Sequence, residues 1–151
     1  MKIFIVSLFL FLLLVIAWID GKTRKIPDRS IVALIIVGII MFSVFPEIGL
    51  SERISGAFCI SVPLLFINLL NPGSFGGGDI KLMAVCGAIL GRRGIVDAFV
   101  IAVFISGVYV AWSLARKKMN RSSYFAFGPF LCFGISVTLC IFLYKHMSCH
   151  M

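Results

Sequence analysis

Apolar runs fill most of this chain, at about 3–19, 30–45, 53–70, 79–90, 95–115 and 126–144. A helix needs roughly 17–25 such residues to cross a bilayer. In hydrocarbon, every backbone N–H and C=O must also be satisfied inside the protein. Four of the runs are near that length. The run 30–45 is slightly short, and 79–90 is clearly short, since at 1.5 Å per residue it rises only about 18 Å. The pattern predicts an all-α integral membrane protein, a polytopic bundle of about six transmembrane helices forming a single domain over 1–151. Composition agrees: 61% of residues are hydrophobic and 13% charged, where a soluble domain carries about a quarter charged residues. The run from Ile3 to Ile19 is too long for the apolar core of a typical signal peptide, and no small-residue cleavage pattern follows it. A retained first span is expected.

The net charge is +8. On a soluble protein this balance would point to nucleic acid. Here the basic residues sit in short loops between apolar runs, which is the pattern of topology signals and of contacts to anionic lipid headgroups. Membrane lipids are therefore expected partners, and nucleic acid is not. The 20–29 loop holds Lys22, Arg24, Lys25 and Arg29, the 116–121 loop holds Arg116, Lys117, Lys118 and Arg121, and Lys81 flanks a glycine-rich loop. Placing these on the cytoplasmic side leaves Lys2, Arg53, Arg92, Arg93 and Lys145 outside, in the direction of the positive-inside rule. Both termini then lie outside. Of the five cysteines, four lie inside apolar runs and none forms a C-x-x-C pair. They read as small apolar helix residues. Cys149, in the tail 146–150, is the fifth. No metal or cofactor is expected.

Six acidic residues remain. Glu47 and Glu52 fall in an outer loop and read as solvated. Asp28 follows Pro27 and is expected to cap the second helix. Asp97 suits a helix start, or a pairing with Arg92 or Arg93. Asp20 and Asp79 differ from these. Asp20 ends the first span, and Asp79 opens the fourth directly after Gly76-Gly77-Gly78. Charge topology puts both at the cytoplasmic edge, on different helices. Ionisable residues at membrane depth are costly and point to function. If two such carboxylates approach closely they share a proton. The ionised one can take a proton from water, and the protonated one can polarise a peptide carbonyl, as in an aspartic protease. Glycines 76–78 would let an extended peptide come close to the backbone and would allow unusual dihedrals. Pro63 and Gly128-Pro129 read as kinks within the third and sixth spans.

These residues resemble the type IV prepilin peptidases, intramembrane aspartic proteases of the GxGD type. Gly76-Gly77-Gly78-Asp79 matches the GxGD motif, and Ile80-Lys81-Leu82-Met83 is its typical continuation. The stretch 20–28, DGKTRKIPD, is similar to the family's first-aspartate region, and 125–131, FAFGPFL, to a third recurrent block. The resemblance implies an aspartic endopeptidase that removes the short basic leader from prepilin-like precursors, pilins or pseudopilins, at the cytoplasmic face of the inner membrane. It implies Asp20 and Asp79 as the catalytic pair. Many bacterial members carry an N-terminal region with paired C-x-x-C cysteines and also methylate the new N-terminus. This sequence starts at the first protease span, so a peptidase without that methyltransferase region is expected. The alternatives are a cation- or proton-coupled transporter using Asp20 and Asp79, and a structural subunit without chemistry.

Overall fold

The computed structural model describes residues 2–23, 26–44, 46–116 and 126–148. They form helices α1 (Lys2–Thr23), α2 (Asp28–Val44), α3 (Leu50–Cys59), α4 (Ser61–Leu70), α5 (Gly77–Ala115) and α6 (Gly128–Ser148). The segments Phe4–Thr23, Leu50–Leu70, Gly77–Ala115 and Gly128–Lys145 are long and apolar enough to cross a membrane. The protein is an all-α membrane protein. That is four segments where the sequence predicts about six spans, and two features account for the difference. At 17 residues, α2 is at the lower limit of length. The fourth and fifth apolar runs are continuous in α5, whose 39 residues would rise about 58 Å, roughly twice the thickness of a bilayer core.

One residue interrupts α5. Gly91 has φ 73° and ψ 176°, a left-handed φ that glycine adopts without steric cost. A break in a helix frees carbonyls that lipid cannot satisfy. Arg53 satisfies two of them. Its Nη1 donates to the carbonyls of Ala88 at 3.3 Å and Ile89 at 3.5 Å, and its Nε donates to Ile48 at 3.0 Å. Its guanidinium also lies 4.3 Å from the centre of the Phe42 ring. Arg53 is 6% exposed. The sequence places it among the outer charges that set topology; in the fold it is a buried brace for a broken helix.

The other breaks have local causes. The third apolar run bends at Ile60, between α3 and α4. Pro63 lacks the N–H that would bond the Cys59 carbonyl, and its ring crowds that carbonyl. Gly128-Pro129 is not a kink: α6 begins at Gly128. Proline fits a first helical turn, where its missing N–H would have no partner anyway. The first helix runs one turn further than the apolar run, to Thr23.

Small residues let the helices meet. A Cβ on Gly56 would overlap the Gly87 carbonyl and lie 2.7 Å from the Gly91 carbonyl carbon. So α3 and α5 pack backbone to backbone, as membrane helices do when small residues face each other. A Cβ on Gly134 would overlap the Ala98 carbonyl, so α6 approaches the second half of α5 in the same way. α1 packs against α2 and α6, and α5 packs against both of these as well.

Each of the three helices that build the site carries one dry stripe. On α1 it is Val6, Phe9, Leu13, Ile16 and Asp20, all at most 5% exposed. On α5 it is Asp79, Leu82, Met83, Cys86 and Leu90, and on α6 it is Leu131, Cys132, Ile135 and Leu139. These steps of three and four residues keep one helix face inward. Asp20 and Asp79 are simply the end positions of two such stripes.

The α3–α5 contact gives a first prediction. Gly87→Leu drives a side chain into the Gly56 backbone and is expected to cost 3 kcal/mol or more, about the upper range for overpacking. Gly107→Leu, at an exposed glycine with nothing within 4 Å, is expected to be close to neutral. Thermal unfolding of the two variants in detergent compares them directly.

Candidate active site

The two stripes end at the same place. Asp20 lies inside the last turn of α1, not beyond it, and is 5% exposed. Asp79 lies in the first turn of α5 and is 7% exposed. Between them stands Gly128, the first residue of α6. A Cβ built on Gly128 would overlap Asp20 Oδ2 and lie 2.8 Å from Asp20 Cγ and 3.2 Å from Asp79 Oδ1. The two carboxyl groups therefore border one space no larger than a methyl group. No residue other than glycine fits at 128 without displacing them.

A backbone N–H lies near each carboxylate. Gly76 is the N-cap of α5, so Asp79 is the third helical residue. The Gly76 N–H lies near its carboxylate, on the N-terminal side of the helix. Asp79 Oδ2 lies 3.2 Å from where a Gly76 Cβ would sit. The Gly128 N–H likewise lies near the Asp20 carboxylate. Two helix N-termini thus point their positive ends at the pair, which offsets part of its charge. Asp79 Oδ1, the oxygen on the Gly128 side, is buried and has no hydrogen-bond partner among the described residues. An orphaned buried oxygen is rare in a folded protein and calls for an explanation. Its position beside a second carboxyl group supplies one: a proton held between the two would satisfy it.

The three glycines do different things. Gly76 is extended, with φ −66° and ψ 134°, and Gly77 and Gly78 open the helix. None of the three has a positive φ. A Cβ on Gly78 would lie 2.6 Å from Ile26 Cβ and 3.4 Å from its Cα. The Ile26-Pro27 segment is therefore pressed onto the start of α5. Gly77 has nothing within 4 Å and is the open member of the three.

A second tie joins the same segments. Lys81 Nζ lies 2.6 Å from Asp28 Oδ1, with both side chains largely exposed. Asp28 is the first helical residue of α2, and the Pro27 carbonyl accepts the Ser30 N–H at 3.0 Å. The expected cap at Asp28 is thus an ion pair across to α5. Such a pair contributes at most about 1 kcal/mol. Asp97 is exposed and forms no ion pair with Arg92 or Arg93. Glu47 and Glu52 are exposed, as expected, but Glu52 lies in the first turn of α3 and not in a loop. Among the described residues no group of His, Cys, Asp and Glu could hold a metal ion. The Cys149 tail lies outside the described residues.

Aromatic rings connect the loops around the pair. Phe75, just before the glycines, meets Phe127, just before Gly128, edge to face at 6.0 Å. Phe127 meets Phe99 on α5 at 6.4 Å. Sequence reasoning missed Gly128, Phe75, Phe127 and Ile26 as parts of the site. The 125–131 block marked the region, but nothing in it told that its glycine stands between the two aspartates.

Residues 7–111 match the family described as Type IV leader peptidase family. The chain belongs to this family. It is 27% identical over 134 residues to a prepilin leader peptidase/N-methyltransferase of Bacillus subtilis (strain 168), covering 89% of this chain and 54% of that protein. It is 32% identical over 129 residues to one from Pectobacterium carotovorum subsp. carotovorum, covering 81% of this chain and 46% of that protein. A third, from Neisseria gonorrhoeae, is 29% identical over 124 residues, 79% of this chain and 42% of that protein. The chain thus spans about half the length of these relatives. No solved structure matches it. The matched region contains both Asp20 and Asp79; Gly128 lies beyond it.

Two carboxyl groups buried together oppose folding, and neutralising one relieves this. Asp20→Asn and Asp79→Asn each keep the size of the side chain and one carbonyl oxygen beside the nearby backbone N–H. Each is expected to stabilise the protein by roughly 1 kcal/mol, seen as a higher unfolding midpoint in detergent. Asp97→Asn, at an exposed position, is expected to leave the midpoint within about 0.5 kcal/mol of the parent.

Proposed function

We propose that this protein is a membrane aspartic endopeptidase that removes the short basic leader from prepilin-like precursors, with Asp20 and Asp79 as its catalytic pair. The observation that carries the reading is the placement of both carboxyl groups against the one space at Gly128. Membership of a leader peptidase family supports it, as do relatives named for prepilin leader cleavage. Their name also includes N-methyl transfer; the proposal for this chain covers the hydrolytic step.

The chemistry follows from one proton shared by two carboxyls. The ionised member takes a proton from water as the water oxygen attacks the scissile carbonyl carbon. The protonated member gives its proton to the carbonyl oxygen, so no oxyanion is left unpaired. The tetrahedral intermediate then loses its amine, which takes up the proton drawn from water. As the C–N bond breaks, a hydroxyl of the intermediate returns its proton to the carboxylate that had given one up, which forms the new carboxyl terminus and leaves the pair with one proton again. No metal and no covalent intermediate is needed. Gly77, open beside Asp79, is where an extended peptide backbone would lie; Gly76 and Gly78 shape the same edge.

The pair would work at the cytoplasmic face of the inner membrane, with both termini on the other side. Two Trp–cation pairs support this level. Lys22 Nζ lies 3.9 Å from the Trp18 ring centre, and the Arg116 guanidinium 4.4 Å from that of Trp112. Exposed tryptophans with basic neighbours are typical of the headgroup layer. Asp20 lies between Trp18 and Lys22 in sequence, so its depth is that of the lipid headgroups. These cations and Lys81 are the expected lipid contacts. The transporter reading lacks comparable support. Among the described residues the buried acidic side chains are Asp20 and Asp79 alone, both at one end of the bundle, with none deeper to carry an ion across.

The deciding experiment is cleavage of a prepilin-like substrate in detergent or membranes. Asp20→Asn and Asp79→Asn are each expected to reduce kcat by 10³-fold or more, as loss of an essential acid or base does. Gly128→Ala is expected to cost at least about 10²-fold, because misplacing reacting groups by 1 Å already has that effect. Asp28→Asn is expected to retain activity within roughly threefold, since an exposed ion pair contributes little. Wild-type cleavage by either aspartate variant would remove that residue from the mechanism.

A further inference from the structure

α4 is an unusual neighbour for a catalytic loop. Val62, Leu65, Phe66, Ile67, Leu69 and Leu70 are all exposed, and it packs inward mainly through Leu64. Yet it sends one polar side chain toward the site. Asn68 Oδ1 accepts the Gly73 N–H at 3.2 Å and, more weakly, the Phe75 N–H at 3.5 Å. Two N–H donors on one atom identify it as the oxygen of the amide. The loop is further closed by Asn71, whose carbonyl accepts the Ser74 N–H at 3.2 Å and the Ser74 hydroxyl at 2.8 Å. Gly73 has φ 90°, so the turn depends on glycine, and Asn68 fixes the turn on both sides of it.

The consequence reaches both carboxyl groups. Phe75, held by Asn68, is followed by Gly76, whose N–H faces Asp79. Phe75 is also edge-on to Phe127, and Phe127 is followed by Gly128, whose N–H faces Asp20. We infer that Asn68 is a positioning residue: its side-chain oxygen fixes the 73–76 turn and, through Phe75 and Phe127, sets the spacing of Asp79 and Asp20. Asn68 touches neither aspartate and acts through the backbone of the turn and the Phe75–Phe127 ring contact. The inference rests on the peptidase reading for its effect on catalysis, but not for its effect on geometry.

The test reads both. Cleavage of a prepilin-like substrate is compared for the parent, Asn68→Leu, which has similar size and no acceptor, and Asn68→Asp, which keeps the oxygen. Asn68→Leu is expected to lose roughly 10- to 100-fold in kcat with KM little changed, and Asn68→Asp to recover most of it. Geometry is read without substrate. In a background with the five native cysteines changed to alanine, Asp20→Cys with Asp79→Cys is treated with a short thiol crosslinker. Ready crosslinking is expected with Asn68, about tenfold slower crosslinking with Asn68→Leu, and recovery with Asn68→Asp. Parent rates of both cleavage and crosslinking in Asn68→Leu would overturn the inference. So would a failure of Asn68→Asp to restore crosslinking, because the oxygen would then not be the operative group. If crosslinking responds as expected but the parent cuts no prepilin-like substrate, the positioning role stands and the peptidase reading falls.

Discussion

Two carboxyl groups cannot both stay ionised when they face one another out of water. The bundle brings the two to the edges of one small space at Gly128. Three helices deliver a residue to the same point: α1 by its last turn, α5 and α6 by their first. The two helices that start there bring backbone N–H groups, and the one that ends there brings only a side chain. Donors therefore converge where acceptors are crowded. Replacing Gly128 by any other residue would fill the space that both carboxyls border, so the gap is as much a part of the site as the carboxyls.

Close backbone contact serves two ends of the molecule in different ways. At the site, Gly78 lets Ile26 lie on α5, which draws the connection after α1 against the start of α5. At the far end, Gly56 and Gly87 let α3 touch α5 just before the break at Gly91. Arg53 then occupies the carbonyls that the break leaves open. A buried arginine is expensive in hydrocarbon, but so are unpaired carbonyls, and here each satisfies the other. The first half of α5 is thereby fixed at both ends, with Asp79 on its first turn.

Much of this was legible in the sequence, and the missing parts have physical reasons. The runs of apolar residues gave the class, because lipid demands length and greasiness and little else. Asp20 and Asp79 stood out because charge is rare in such a chain. What could not be read was which face of each helix points inward. Leu13, buried, and Leu14, exposed, look alike in sequence, because a membrane helix is apolar on both its lipid side and its protein side. Arg53 was misread for a related reason: a cation near a helix start looks like a topology signal whether it faces headgroups or a broken backbone. Asn68 gave no signal, since its two hydrogen bonds depend on a turn five to seven residues later in the chain. The glycines stood out for close approach of a peptide and for unusual dihedrals; the dihedrals are not adopted, and Gly78 is needed for its missing side chain against Ile26.

The break at Gly91 also bears on the surrounding lipid. Residues 77–90 rise about 21 Å, some 10 Å less than a bilayer's hydrocarbon core. The exposed Arg92 and Arg93 follow at once. A helix that short is matched by snorkelling of such flanking cations and by local thinning of the bilayer. The bilayer beside the first half of α5 is then expected to be thinner than the membrane at large. A polar segment lying next to Asp79 would then meet a shallower apolar layer, and hydrophobic mismatch would bear on what can approach that end of the bundle.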